Sequence, residues 1–325
     1  MRTRHALIAA ALLATGLSSP AWAHRQWLLP STTTLAGTSE YVTVDGAVSN
    51  DLFYADHFPI DPAQVKVWAP DGTEAKVENA ATLRYRSTFD VKIDKPGTWV
   101  IGTERSGLMG TFKVDGETWR VGSRGRNGGQ FGGAGGAGGP GAPRPAGAPP
   151  RGERPGGMAP GGVGPGGMGP GGPDGAPMKF VATAAEIPAD ATDIKLTETI
   201  ARNYVYVTAD APTENAYKVT GKGLEFQPIT KPGALSSDEE GQFRFLVDGK
   251  PAAGITVGVV PGSKKFRESE DAQELKTGAD GVLHVKWPVP GMYWLNANVT
   301  DNKTSEPRAT ERRLSFTTTL EVVAP

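Results

Sequence analysis

Between Gly122 and about Pro177 the chain runs through tracts such as GGAGGAGGPGAPRPAGAPP and PGGVGPGGMGPGGPDG, which take about half of its 44 glycines. A segment of this composition cannot bury enough apolar surface to offset the conformational entropy lost on ordering, so residues 123–177 are expected to form a disordered insertion. Everything that folds must come from the two flanking stretches. Strand-forming sequence resumes at Ala201-Arg202-Asn203-Tyr204-Val205-Tyr206-Val207. The tract therefore reads as a flexible spacer, inserted within the first domain or at its trailing edge.

The amino terminus is also set apart. Arg2 and Arg4 precede an apolar run from Ala6 to about Ser19, followed by Ala21-Trp22-Ala23, the small-x-small pattern of a leader-peptidase site. At roughly 14 residues the run is shorter than the ~20 needed to cross a bilayer. Residues 1–23 are thus expected to be a signal peptide, and the mature chain a periplasmic protein with no membrane insertion. The chain has no cysteine, which excludes a disulfide scaffold, a thiolate metal site, a cysteine nucleophile and a lipid-anchored amino terminus. The formal charge is −1. With the leader and the arginine-bearing tract set aside it falls to about −6, which argues against a nucleic-acid partner and suits cations.

Elsewhere the pattern is apolar–polar alternation in short pieces, among them Glu40-Tyr41-Val42-Thr43-Val44, Val65-Lys66-Val67-Trp68, Thr98-Trp99-Val100-Ile101 and Thr111-Phe112-Lys113-Val114. Period-two alternation marks half-buried strands. Turn chemistry separates them at Ala69-Pro70-Asp71-Gly72, Lys95-Pro96-Gly97 and Val114-Asp115-Gly116-Glu117, the last a strong hairpin cue. The expected fold is all-β, with two β-sandwich domains: 24–228, interrupted by the insertion, and 229–325. Only Glu186 to about Arg202 resembles a helix, and its β-branched residues weaken that reading. The tryptophans at 27, 68, 99, 119, 287 and 294 read as packing residues rather than a carbohydrate platform.

Chemistry-bearing motifs are few. There is no Gly-x-Ser-x-Gly, no His-Glu-x-x-His and no phosphate-binding Gly-x-x-x-x-Gly-Lys-Ser/Thr. Of four histidines, His5 leaves with the leader. Cleavage after Ala23 makes His24 the first residue, where its α-amine and imidazole form one chelate. One further imidazole gives a T-shaped three-nitrogen site, a histidine brace, suited to Cu, Ni, Co or Zn rather than Ca or Mg. The amine, with a reference pKa of roughly 7.7 to 8.0, must lose its proton to bind, so affinity rises with pH up to about neutrality. His57, in Asn50-Asp51-Leu52-Phe53-Tyr54-Ala55-Asp56-His57-Phe58-Pro59, is the expected second ligand. Asp56 or Asp51 is expected either to ligate or to orient the ring, with Tyr54 as a possible axial group. His284 alternates outward beside Lys286 and reads as solvated.

Two resemblances add to this. Gly249-Lys250-Pro251-Ala252-Ala253-Gly254, Asp280-Gly281 and Pro290-Gly291-Met292-Tyr293 resemble a transthyretin-like or carboxypeptidase-regulatory-like sandwich over the last 95 or so residues. His24-Arg25-Gln26-Trp27-Leu28-Leu29-Pro30-Ser31, with Asp56-His57-Phe58-Pro59 and Val247-Asp248-Gly249-Lys250-Pro251, resembles an exported bacterial family known as domain of unknown function 4198. Its members carry Ala-His-x-x-Trp-Leu-x-Pro-Ser just after the leader. That resemblance implies a periplasmic component of nickel or cobalt uptake, working beside an envelope metal transporter, with His24 and His57 as ligands. It implies no catalysis. Two other functions remain open at this point: a copper oxidase-like enzyme using the same brace, and a structural protein whose sandwiches only present the tract.

Overall fold

A computed structural model describes residues 24–122 and 179–325. The expected leader and the expected insertion at 123–177 lie outside the described residues. The fold is all-β: helical structure among the described residues is limited to five single turns of 3-10 helix. The stretch with weak helical character, Glu186 to about Arg202, begins where one such turn, Ala184–Glu186, ends, and then enters the 18-residue strand Thr192–Ala209. Its threonines and isoleucines favour the pleated conformation, as their branched β-carbons require.

Three sheets form three layers. The central sheet has 11 strands, an N-terminal sheet of five strands covers one face, and a C-terminal sheet of four covers the other. The core of the central sheet is the antiparallel pair Gly97–Val114 and Thr192–Ala209, extended by the strand Glu311–Val322, which runs parallel to Thr192–Ala209. Because side chains alternate, these strands feed two cores. Trp99, Ile101, Val205, Val207 and Ala209 pack on Leu28, Val42, Val44, Phe89 and Val91 of the N-terminal sheet. Val100, Tyr206, Leu314 and Phe316 pack on Phe226, Phe243, Phe245 and Leu283 of the C-terminal sheet. The two sandwiches therefore share one sheet. Leu224–Pro228, just before the expected boundary at 229, pairs with Gly241–Val247 in the C-terminal sheet.

Asp-Gly pairs close two hairpins as the sequence requires. Asp115 and Gly116 have φ of 51° and 79°, and Asp248 and Gly249 have 51° and 74°, the twin left-handed residues of a two-residue loop. Around the first hairpin a small third core forms from Phe112, Val121, Val181, Ile187 and Leu196. There the chain departs at Gly122 and resumes at Lys179 in neighbouring parallel strands, with the Gly122 amide donating to the Val181 carbonyl at 3.0 Å. Trp27, Trp99, Trp287 and Trp294 are buried as packing residues.

Candidate metal centre at the first strand

The strand Arg25–Pro30 lies antiparallel to Glu40–Ser49, with Arg25 opposite Ser49. The short strand Phe58–Pro59 pairs with the same partner, Phe58 opposite Val48. His24 and His57 are thus each one residue beyond a strand that flanks the end of Glu40–Ser49. The turn between is fixed by several contacts. Trp27 donates its indole N–H to Ser49 Oγ at 2.7 Å, and that hydroxyl donates to the Asp51 carbonyl at 2.5 Å. Phe53 takes a left-handed φ of 60° and sets its ring edge-on to Trp27 at 5.7 Å. Leu52, Ala47, Val260 and Trp294 complete a small apolar base under the turn.

On that base the two histidines meet. Their ring centroids are 4.0 Å apart with planes inclined by 14°, and the Phe58 ring lies 3.9 Å from that of His57 at a tilt of 49°. His24 is exposed and His57 is half-buried. Among the described residues neither imidazole is engaged in a hydrogen bond or ion pair, so both keep nitrogens able to ligate. The stack itself does not chelate. An imidazole binds a metal in its ring plane at about 2.0 to 2.1 Å, and near-parallel planes do not converge on a shared ion. One ring must turn out of the stack, a side-chain rotation rather than a backbone change.

The carboxylates of the turn are committed elsewhere. Asp56 accepts from the Asn50 amide at 3.0 Å and from Asn50 Nδ2 at 3.1 Å, and Asp51 accepts from Lys264 Nζ at 2.9 Å. Tyr54 is exposed, with the Lys265 ammonium 5.6 Å above its ring. No group of three or more His, Asp or Glu side chains converges among the described residues. The donors that remain are the two imidazoles and, in a chain beginning at residue 24, its terminal amine. His284 lies in the C-terminal sheet, across the central sheet from this turn. It is exposed, with Nδ1 2.6 Å from Glu240 Oε1, and that contact lowers the Glu240 carboxyl below its ordinary value.

Residues from the second half of the chain also reach the site. Arg25 pairs with Glu270, and Trp294 donates to the Gln26 carbonyl at 3.0 Å. Alternation alone marks Trp294 as a packing residue, and nothing local in the sequence ties Glu270 to Arg25. Beneath Gln26 the central sheet carries a buried polar row, Thr103, Asn203, Thr317 and Asn296, on adjacent strands in register. Gln26 Nε2 donates to Thr103 Oγ1 at 3.3 Å, and Asn296 Nδ2 to Thr317 Oγ1 at 2.8 Å. Both side-chain atoms of Asn203 lack a partner among the described residues.

Comparison with known proteins gives a family and little more. No curated protein matches the chain. Among solved structures, a Salmonella alpha-2-macroglobulin reacted with methylamine matches at 11% identity and a TM-score of 0.21, covering 92% of this chain. The chain spans only 15% of that protein's length. The D0-D1 domain of intimin matches at 11% identity and a TM-score of 0.18, covering 90% of this chain and 97% of its own. Both likenesses are too slight to carry any property across. The family model described as Domain of unknown function (DUF4198) matches residues 21–301, and the chain belongs to that family.

Proposed function

We propose that the protein is an exported, non-catalytic binder of a divalent transition metal, Ni, Co or Cu, which it holds as cargo for an envelope transporter. The observation that carries this reading is the meeting of His24 and His57, whose rings lie 4.0 Å apart although they come from separate segments of the chain. Two uncommitted imidazoles at the start of a strand, over an apolar base, suit a nitrogen-rich site with an open face. With the terminal amine they supply three nitrogens. Water or a donor from the receiving partner completes the shell of Ni or Co, whereas Cu(II) is satisfied by the three.

The site is built for release as well as capture. His24 is exposed, and the carboxylates that would close the shell, Asp56 and Asp51, are held by Asn50 and Lys264. A centre with an open position exchanges its ion more readily than a closed one. The test is a titration of the protein beginning at His24 with Cu(II), Ni(II) and Co(II). One ion per chain is expected, Cu(II) tightest by the Irving–Williams order. His24→Ala, His57→Ala and one added residue before His24 should each weaken binding by more than about 100-fold, beyond the cost of losing an outer partner. Equal binding by all four proteins would end this reading.

A further inference from the structure

Both imidazole-bearing segments are gripped by one loop of the second half, residues 262–272, between the strands Thr256–Pro261 and Gln273–Lys276. Its first grip is on the residue after His24. Arg25 donates from Nη1 to Glu270 Oε1 at 2.6 Å and from Nη2 to Oε2 at 3.0 Å, a two-pronged planar pair. The guanidinium lies 5.7 Å over the Trp294 ring, and its side chain is only 12% exposed. The second grip is on the turn that carries His57. Lys264 holds Asp51, and Gly262 lies so close to Phe53 that an added β-carbon would meet the ring at 2.7 Å. Arg267 ties the loop to itself, donating to the carbonyls of Gly262 at 2.6 Å, Pro261 at 3.1 Å and Glu270 at 3.2 Å.

We infer that Glu270 is a positioning residue for the candidate metal pair: by clamping Arg25 it fixes the backbone at His24 and so keeps that imidazole within reach of His57, free to turn about its own side-chain bonds. The first residues of a domain fray unless tied down, and a two-pronged charge-assisted pair fixes orientation as well as distance. Without it the strand still pairs from Gln26 onward, but His24 swings free. A ligand that must be ordered at the moment of binding binds more weakly. The inference rests on the metal-binding reading given above, and its test separates the two.

The full mature chain and its Glu270→Ala and Glu270→Gln variants are titrated with Cu(II) alone, followed by electron paramagnetic resonance, and amide exchange of metal-free protein is measured over residues 25–29. Glu270→Gln keeps the shape and one acceptor oxygen, so it preserves the fold should Glu270→Ala lower the melting temperature. The expected result is a loss of Cu(II) affinity of about 10- to 100-fold in Glu270→Ala, with an altered copper spectrum and an intermediate value in Glu270→Gln. Affinity and spectrum equal to wild type in both variants would overturn the inference. If the wild type takes up no Cu(II), the metal reading falls and exchange decides the clamp alone. Faster exchange over 25–29 in Glu270→Ala then supports it, and unchanged exchange overturns it.

Discussion

The two faces of the central sheet are finished differently. Toward the C-terminal sheet the side chains are large and apolar: Phe316 stacks on Phe226 at 5.1 Å with 12° between planes, and Phe226 stacks in turn on Phe243 at 5.2 Å. Toward the N-terminal sheet the aliphatic row Ile101, Val205 and Val207 gives way, under Gln26, to Thr103, Asn203, Thr317 and Asn296. The same strands thus build a dense aromatic core on one side and a polar seam on the other. The seam lies where the first strand crosses, under Gln26. The larger, aromatic-rich core lies on one face, and the candidate chemistry on the other.

The comparison breaks first if the aromatic face is not the stronger. Phe316→Ala removes a ring that is 1% exposed and should cost about 3 to 5 kcal/mol. For a fold of this size that is a fall in melting temperature of about 6 to 20 °C. Because Phe316 faces away from the turn, Cu(II) affinity should stay within about threefold of wild type at a temperature where the variant is folded. A large loss of binding without unfolding would couple the faces.

A smaller effect is expected from Arg312, whose side chain is 7% exposed and which binds Asp248 at 2.7 Å and Asp301 at 2.8 Å. Arg312→Met leaves two carboxylates without their cation and should cost about 3 kcal/mol, read by denaturant unfolding. Hydrogen bonds from Arg312 hold both carboxyls below their ordinary value of 3.8. A depressed folded-state pKa gives stability that is complete above pH 3.8 and is lost as pH falls further. The wild type should therefore lose stability more steeply below that pH than Arg312→Met, in which the pair no longer exists.

The smallest change should have the opposite sign. Asn203 is 4% exposed and its amide has no partner among the described residues. Asn203→Val removes that desolvation cost and suits a strand, so it should stabilise the fold by about 1 kcal/mol, measured by thermal melting. Destabilisation would mean that the amide is paired and that the polar seam is as complete as the aromatic face.

Much of this architecture was legible. Alternation at Val42 to Val44 and at Val65 to Trp68 marks strands of an all-β fold, and Asp115-Gly116 marks its hairpin, because both signals act over a few residues. The sharing of one sheet by two sandwiches was not. Tyr204-Val205-Tyr206-Val207 is apolar on both faces, which marks a strand covered on both sides, but its partners at Gly97–Val114 and Glu311–Val322 are set by pairings distant along the chain. The proximity of His24 and His57 comes from the strands Arg25–Pro30 and Phe58–Pro59, which both pair with Glu40–Ser49. The engagement of Asp56 by Asn50 and the reach of Glu270 to Arg25 depend on backbone placement that residue types alone do not encode.

The most direct test is native mass spectrometry of the protein recovered from the periplasm, incubated with Cu(II) and desalted. The account predicts a chain that begins at His24 and carries one metal ion, lost when His57 is replaced by alanine. A chain that begins at any other residue, or a chain starting at His24 that stays free of metal, would contradict it.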